Sequence, residues 1–232
     1  MQAIDRQLQR YGCQMDVSFG PFSSPFPARE YGGCILFAGT RKDARIMAGV
    51  PTVWLNPAED VDAYSVYPDD QYAASTAVAL CTLAAIDKIA YVDISTTHRS
   101  GRIRRETLRE ESLRQHLEIV SIVRMEEVDA SLLRHWCEIG VQAVLCYHGI
   151  AGIRVLSACQ EAGLTAGKNI RILSLAGAGN VPVTPALSAF LIPYEELGIH
   201  AVDMLMDRIR GIHEPISAHR ALPPVLQLRE TF

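Results

Sequence analysis

Short apolar runs alternate along this chain with stretches of helical periodicity. Seven runs are rich in apolar and β-branched residues, which is typical of strands. Between most of the later runs, apolar residues recur every three or four positions, and this spacing predicts helices. The strand candidates are CQMDVSF (13–19), GGCILFAG (32–39), TVWLN (52–56), KIAYVDIS (88–95), EIVSIV (118–123), VQAVLCY (141–147) and IRILSLA (170–176).

The segment 192–211 predicts one complete amphipathic helix. Acidic residues in its first turn and basic residues in its last turn both suit the helix dipole. Pro193 precedes the helix and Gly211 is placed to end it. The apolar stripe that would face a core consists of Leu197, Ala201, Leu205 and Ile209.

Helix boundary signals indicate the order of elements. Asp70 can cap the alanine-rich run 71–86, and Asp129 can cap the run 131–140. The spacing also predicts helices over 104–117 and 150–164, the second closed by Gly163. Strands and helices in series imply an α/β fold with a mostly parallel sheet covered on both faces.

In such a sheet, ligands bind at the carboxyl ends of the strands. This rule selects three loops, at 95–101, 147–149 and 176–180. The first is the most polar, with Thr96, Thr97, His98, Arg99 and Ser100 in sequence. The Gly177 to Gly179 segment is a weak candidate for a phosphate cradle, because the proline-rich stretch after it does not open a helix.

Composition narrows the class of protein. The chain has 232 residues, 49% hydrophobic content and a net charge of −4, with only a short basic cluster at 102–105, so we expect no nucleic-acid binding by this stretch itself. Six cysteines without C-x-x-C spacing suggest free thiols in a reducing compartment. No secretory signal or membrane span is recognised, so we expect a cytoplasmic protein.

Several blocks, in order, resemble the effector-binding domain of lactose-repressor/galactose-repressor family transcriptional regulators. The most specific are IPYEELGIHAVDMLMDRIRG (192–211) and LPPVLQLRET (222–231). Further matches are GVPTVWLN (49–56), DDQYAAS (69–75), IDKIAYVDI (86–94), the Arg104 to Leu108 segment and the long stretch 141–175. The resemblance runs through nearly the whole chain.

This resemblance implies a two-lobed, periplasmic-binding-protein-like (type I) fold. Each lobe would be a mostly parallel sheet flanked by helices, with a small molecule between the lobes and hinge closure on binding. The first lobe would take residues 1–95 and 189–212, and the second 96–188 and 213–232. The family's first strand and half of its first helix have no counterpart, so the N-terminal lobe is expected to be truncated.

The chain departs from the family pattern at three further places, two in the pocket and one in a helix. The chain has His148 and Gly149 where the family has Asn-Asp, and Ala176 and Gly177 where it has Asp-Asp. Because those groups grip sugar hydroxyls, an ordinary monosaccharide or nucleobase ligand is in question. The segment SSPFPAREY (23–31) is too short and too rich in proline for the usual second helix.

The resemblance, together with the rule that ligands bind at the carboxyl ends of strands, predicts the ligand-binding residues. Asp70 would contribute from the first lobe, and Arg104 and His148 from the second. Each has an alternative: Asp70 as a helix cap, Arg104 as part of a solvated helix start paired with glutamates, and His148 as a structural histidine. Secondary candidates are Tyr147, His98, Arg99 and Gly177.

The function predicted is a ligand-sensing domain of a transcriptional regulator that binds a small, sugar-related molecule. We expect a homodimer, DNA binding only through a helix-turn-helix module absent from this chain, no membrane association, and no metal or other cofactor. No nucleophile, base and orienting group converge in the three loops, so no catalytic residue is predicted. Two alternatives remain: a solute-binding protein of a transporter, and a degenerate dimerisation domain without ligand.

Overall fold

A computed structural model describes residues 1–20, 30–47, 49–61, 64–94, 97–177, 182–212 and 219–232. The elements, in chain order, are α1 (Gln2–Arg10), β1 (Cys34–Phe37), α2 (Arg41–Ile46), β2 (Thr52–Leu55), β3 (Ser65–Pro68), α3 (Asp70–Leu83), β4 (Lys88–Asp93), α4 (Arg99–Arg114), β5 (Glu118–Arg124), a 3-10 turn (Met125–Glu127), α5 (Ala130–Glu138), β6 (Ala143–Cys146), α6 (Gly149–Ala162), β7 (Arg171–Gly177), β8 (Ser188–Leu191), α7 (Tyr194–Ile209), β9 (His219–Leu222) and β10 (Val225–Gln227). The predicted α/β class is confirmed.

Internal contacts divide the chain into two compact units. Unit 1 comprises Met1–Pro68 and Pro193–Leu222, and unit 2 comprises Asp69–Ile192 and Pro223–Phe232. This division differs from the sequence-based lobes, which placed 69–95 in the first lobe. The difference arises because α3 packs against α4 and β7, while β4 pairs with β5 and β6.

Unit 1 contains a four-stranded parallel sheet in the order β1-β2-β3-β9. Helix α7 packs against β1, β2, β3 and α1. The predicted helix at 192–211 is confirmed as α7, with Leu197, Ala201 and Leu205 buried. Ile209, the last residue of the predicted stripe, is 41% exposed because it ends the helix.

The strand predicted at 13–19 is wrong. Residues 13–19 form no strand, and Phe19 is 90% exposed. A strand needs a neighbouring strand to bond its backbone groups, and among the described strands none pairs with this segment. Most of the segment SSPFPAREY, for which a lost helix was predicted, lies outside the described residues.

Unit 2 contains a six-stranded sheet in the order β10-β8-β7-β6-β4-β5, parallel except for β10. Apolar cores cover both faces, as predicted. Side chains of β4 alternate between these cores: Ala90 and Val92 pack with Trp136, while Ile89 and Tyr91 pack with Leu108.

Of the three helix boundary residues predicted in unit 2, one is wrong and two are confirmed. Asp69, not Asp70, caps α3, because its carboxylate accepts the Tyr72 backbone N–H at 2.9 Å. Asp70 is the first helical residue, so its side chain is available for another contact. Asp129 caps α5 through the Leu132 N–H at 2.8 Å, and Gly163 ends α6 in the left-handed conformation, φ 74°.

Among the described helices, none is long and apolar enough to cross a membrane.

Candidate functional site

The candidate site lies at the carboxyl edge of the unit 2 sheet. Strands β7, β6 and β4 are neighbours and end there at Gly177, Cys146 and Asp93. Helices α4 and α6 directly follow β4 and β6, so both begin at this edge. Helix α3 directly precedes β4, so it ends near the start of that strand and begins at the carboxyl edge as well. Three helix N-termini with partial positive charge therefore point toward the polar side chains of this edge.

A buried ion pair forms the centre of the site. The Arg104 Nε and Nη2 groups donate to Asp70 Oδ1 at 2.8 and 2.5 Å, and Arg104 Nη1 donates to the Tyr147 carbonyl oxygen at 2.7 Å. Asp70 and Arg104 are each only 3% exposed. The arginine carbon Cζ also lies 4.7 Å from the centre of the Tyr147 ring. Three predicted residues, Asp70, Arg104 and Tyr147, are thus in direct contact within one unit.

These contacts decide the alternative for Arg104 and correct the lobe assigned to Asp70. Arg104 is not part of a solvated helix start, because its guanidinium is buried and fully directed inward. Arg102 does fit that description, since it pairs with Glu106 at 2.8 Å on the surface. Asp70 lies in the same unit as Arg104, whereas the sequence-based boundaries placed the two in different lobes.

A second ion pair at this edge was missed by the sequence analysis. Arg105 Nη1 donates to Asp93 Oδ2 at 2.7 Å, and the other Asp93 oxygen accepts the Ile94 N–H at 2.8 Å. The sequence feature that could have indicated this pair is Asp93, an aspartate at the carboxyl end of the apolar strand β4. Together the two pairs balance two carboxylates with two guanidinium groups.

Two buried polar atoms near these pairs have no hydrogen-bond partner among the described residues: Asp70 Oδ2 and the Tyr91 hydroxyl. Burial raises the pKa of Tyr91 well above its ordinary value of 10.0, and Asp93 raises it further. The phenol therefore stays neutral and can donate. The site thus contains one unused acceptor and one unused donor, which is uncommon for buried groups.

Replacing Tyr91 by phenylalanine tests whether this hydroxyl lacks a partner. Because a buried, unbonded hydroxyl costs free energy, Tyr91→Phe is expected to leave the free energy of unfolding unchanged or to raise it by up to about 1 kcal/mol. Urea unfolding measures the difference. Tyr11→Phe in unit 1 is the matched control, since the Tyr11 hydroxyl donates to Asp203 at 2.9 Å, and it should cost about 0.5–1.5 kcal/mol. Equal losses in both variants would contradict this interpretation.

Histidines cap two helices at this edge. His148 Nδ1 accepts the Ala151 backbone N–H, and His98 Nδ1 accepts the Ser100 N–H, each at 3.2 Å. A ring nitrogen that accepts such a bond has no proton, so the neutral ring presents its Nε2–H as a donor. Sequence reasoning did not foresee these caps, since Ser, Thr, Asp and Asn are the usual residues. For His148 the structural role is thereby established, and ligand contact through Nε2 stays a prediction.

A pH-dependent loss of stability follows from His148. Burial lowers the pKa of His148 below its ordinary value of 6.5, and Arg104 lowers it further. A lowered folded-state pKa gives stability that is complete above pH 6.5 and is lost as the pH falls through the folded value. His148→Asn, which retains a capping side chain, should therefore lose less stability than the wild type between pH 7 and pH 5. Solvent screening of this half-buried ring limits the difference to less than about 1 kcal/mol.

Urea unfolding of both proteins at pH 7 and pH 5 provides the measurement. At pH 7 both side chains are neutral, so similar stabilities there serve as the control. Equal losses between pH 7 and pH 5 would show that His148 does not contribute to the pH dependence.

For the remaining candidate residues, the structure gives fewer contacts that bear on ligand binding. His98 and Arg99 are half-buried at the start of α4. A side chain at Gly177 would place its Cβ 2.8 Å from Ala189 Cβ, so packing alone explains this glycine. Thr96 and residues 178–180, including most of the glycine-rich segment 177–179, lie outside the described residues.

The chemistry available at this edge is binding through hydrogen bonds and charge. Cys146, at the end of β6, is fully buried, and burial raises the pKa of its thiol. A protonated, inaccessible thiol is a poor nucleophile. Within the described ranges, no three His, Cys, Asp or Glu side chains are grouped so as to hold a metal ion.

Comparison with known proteins places this architecture in a family. The model of the periplasmic binding protein-like domain matches residues 77–232. The chain therefore belongs to this family, which confirms the resemblance seen in the sequence at the level of domain and fold. No curated protein sequence matches the chain.

Solved structures of transcription regulators share the fold. A lac repressor dimer bound to operator and the anti-inducer ONPF has a TM-score of 0.85 at 18% identity, covering 99% of this chain and 87% of that one. The regulator CcpA of Lactococcus lactis has a TM-score of 0.77 at 18% identity, with coverages of 99% and 92%. A periplasmic binding protein/LacI transcriptional regulator from Alkaliphilus metalliredigens QYMF, complexed with D-xylulofuranose, has a TM-score of 0.77 at 15% identity, with coverages of 99% and 91%.

Proposed function

We propose that this chain is the ligand-sensing domain of a transcriptional regulator and that it binds a small, sugar-related molecule at the carboxyl edge of the unit 2 sheet. The observation that carries the proposal is the buried Asp70–Arg104 pair with an unused acceptor on Asp70 and an unused donor on Tyr91. Buried polar groups without partners are uncommon in folded proteins.

The two ion pairs leave no unpaired charge on Asp70, Asp93, Arg104 or Arg105, which suits an uncharged ligand rich in hydroxyl groups. Asp70 and Asp93 are already neutralised by Arg104 and Arg105, so an anionic ligand would find no unpaired cation among these four residues. Both atoms are inaccessible in this conformation, so the ligand would bind an opened conformation in which its hydroxyl groups donate to Asp70 Oδ2 and accept from Tyr91. The His148 Nε2–H would supply a further donor, and His98, Arg99, Tyr147 and Gly177 complete the proposed lining.

The regulatory part of the proposal is supported by the shared fold. The lac repressor structure is a dimer bound to operator, and the regulator from Alkaliphilus metalliredigens binds a sugar. For this chain we propose a cytoplasmic homodimer that reaches DNA through a separate helix-turn-helix module, with no catalytic activity. A ligand would act by its different affinity for two conformations.

A thermal-shift screen tests ligand binding directly. The panel contains neutral monosaccharides, polyols, nucleosides and sugar phosphates, each compared with buffer. A ligand that binds the native state at a hundred times its Kd stabilises the fold by about 2.7 kcal/mol, which is a readily measured shift. We expect a neutral, hydroxyl-rich member to raise the melting temperature and sugar phosphates to have no larger effect.

Variants then assign the binding to this edge. Tyr91→Phe removes the hydroxyl donor, and His148→Asn replaces the Nε2–H donor with an amide on a shorter side chain. Both variants keep the fold, so each should weaken binding by roughly fivefold to tenfold. Tyr11→Phe, far from these residues in sequence and located in unit 1, should bind as the wild type does. Ligand binding that is unaffected by both site variants would refute the proposed location, and no shift with any member would favour the dimerisation alternative.

A further inference from the structure

The amino-terminal edge of the unit 2 sheet carries a groove that the proposed function does not use. It has a volume of about 390 Å³ and is lined by the segments that precede β4, β6 and β7. Parallel strands begin at one edge and end at the other, so this groove lies at the opposite edge from Asp70 and Arg104. Its polar lining residues are Gln142, Lys168, Asn169 and Arg171.

Two side-chain amides in this groove have fixed orientations. Gln142 Oε1 accepts the backbone N–H groups of Asp87 and Lys88 at 2.8 and 3.2 Å, and Asn169 Oδ1 accepts the Thr165 N–H at 2.8 Å. Because a backbone N–H can only donate, each amide must present its oxygen to the backbone. Both NH₂ groups therefore remain as donors, and neither has an acceptor among the described residues.

The charged groups of the groove are both cationic. Arg171 is held in place, since its Nη1 donates to the Ala84 carbonyl at 3.3 Å and its Cζ lies 5.8 Å from the Phe232 ring centre. Lys168 is exposed and has no ion-pair partner within the described part of the chain. No aspartate or glutamate lines the groove. Its functional groups are thus two cations and two amide donors.

The turn that carries Lys168 and Asn169 is formed before any ligand arrives. Thr165 O accepts from both Lys168 N and Asn169 N, and Gly167 N donates to Ile170 O at 2.8 Å. Gly167 has φ +79° and packs directly on the backbone of Glu230. A ligand would therefore meet donors already in position, which reduces the entropic cost of binding.

We propose that this groove is a binding site for a small phosphate-bearing anion. The planar guanidinium of Arg171 matches phosphate oxygens, and Lys168 adds a second positive charge that suits a dianion. Exposure of the groove makes binding weak and sensitive to salt. This site is independent of the proposed effector site, so either can fail without the other.

An NMR titration at low ionic strength tests the proposal. Inorganic phosphate, glycerol phosphate and acetate are added in turn to the isotope-labelled full chain. We expect saturable shifts of the backbone amides at 140–142 and 167–171 with both phosphates, and a weaker response to acetate. Tighter binding of glycerol phosphate would identify a phosphorylated metabolite as the ligand, and equal or weaker binding would identify free phosphate. The absence of saturable shifts in these segments would overturn the proposal.

Variants that keep the side-chain bonds to the backbone test phosphate binding without disturbing the fold. Asn169→Asp and Gln142→Glu keep the oxygens that bond the backbone but replace a donor with an anionic oxygen, and Lys168→Gln removes one charge. Each should weaken phosphate binding by about fivefold or more, which corresponds to at least one ordinary hydrogen bond. Lys42→Gln on exposed α2 removes the same charge elsewhere and should change binding by less than about twofold. Equal losses in Lys168→Gln and Lys42→Gln would show nonspecific attraction and refute the site.

Discussion

Replacing Arg104 by methionine is expected to lower the free energy of unfolding by about 3–5 kcal/mol, because it leaves the Asp70 carboxylate buried without its countercharge. Asp70 is 3% exposed, so water cannot replace the guanidinium. The same change removes the donor to the Tyr147 carbonyl, which holds β6 to α4. Asp70→Leu should destabilise by a similar amount, since it leaves Arg104 charged and unpaired.

Urea unfolding of the single and double variants measures the coupling. The double variant Asp70→Leu/Arg104→Met should lose less than the sum of the two single losses, because no unpaired charge remains. Arg114→Gln, which breaks the exposed pair with Glu111, is the control and should cost less than about 1 kcal/mol. Strict additivity of the two single losses would contradict the burial of a coupled pair.

Replacing Gly167 by alanine should cost about 2–5 kcal/mol, from two separate effects. The residue has φ +79°, a region that disfavours any side chain by about 1–2 kcal/mol. A Cβ at this position would also lie 2.1 Å from the Glu230 carbonyl oxygen, an overlap that the backbone must relieve by moving. Thermal or urea unfolding gives the size of the loss.

Gly163→Ala measures the conformational part of that effect alone, so the difference between the two variants gives the steric part. Gly163 has nearly the same backbone conformation, φ +74°, but its Cβ would have no neighbour within 4 Å. We therefore expect a loss of only about 1–2 kcal/mol. Similar losses for the two variants would mean that the contact between the turn and Glu230 is not constrained in the folded protein.

Most of the long elements could be predicted from the sequence, whereas only some of the short strands could, such as β1, β2 and β6. Long apolar runs such as 88–95 and 170–176 became β4 and β7 because a buried parallel strand needs apolar side chains on both faces. The strands β3, β8 and β9 were missed; each has only four residues, and a segment of this length shows no periodicity by itself. The segment 13–19 has strand-like alternation but no neighbouring strand.

The sequence could predict the edge of the sheet where the candidate site lies, but not which side chains contact each other there. The rule that ligands bind at carboxyl ends of strands selected the loops at 95–101 and 147–149, and in the structure both lie at one edge, where Arg104 donates to the Tyr147 carbonyl. Which of two adjacent aspartates caps α3 depends on the angle at which the helix begins, so Asp69 and Asp70 could not be distinguished. The pairing of Asp70 with a residue 34 positions later, and the unpartnered Tyr91 hydroxyl, depend on packing across the sheet face.

Backbone amide shifts during titration with the best ligand of the panel report both whether a ligand binds and whether it binds at the carboxyl edge of the unit 2 sheet. If the proposed site is right, saturable shifts will be concentrated at residues 69–72, 93–94, 97–104 and 147–151, where α3, α4 and α6 begin and β4 and β6 end. Saturable binding whose shifts avoid these segments, or no saturable shift with any neutral hydroxyl-rich compound, would contradict it.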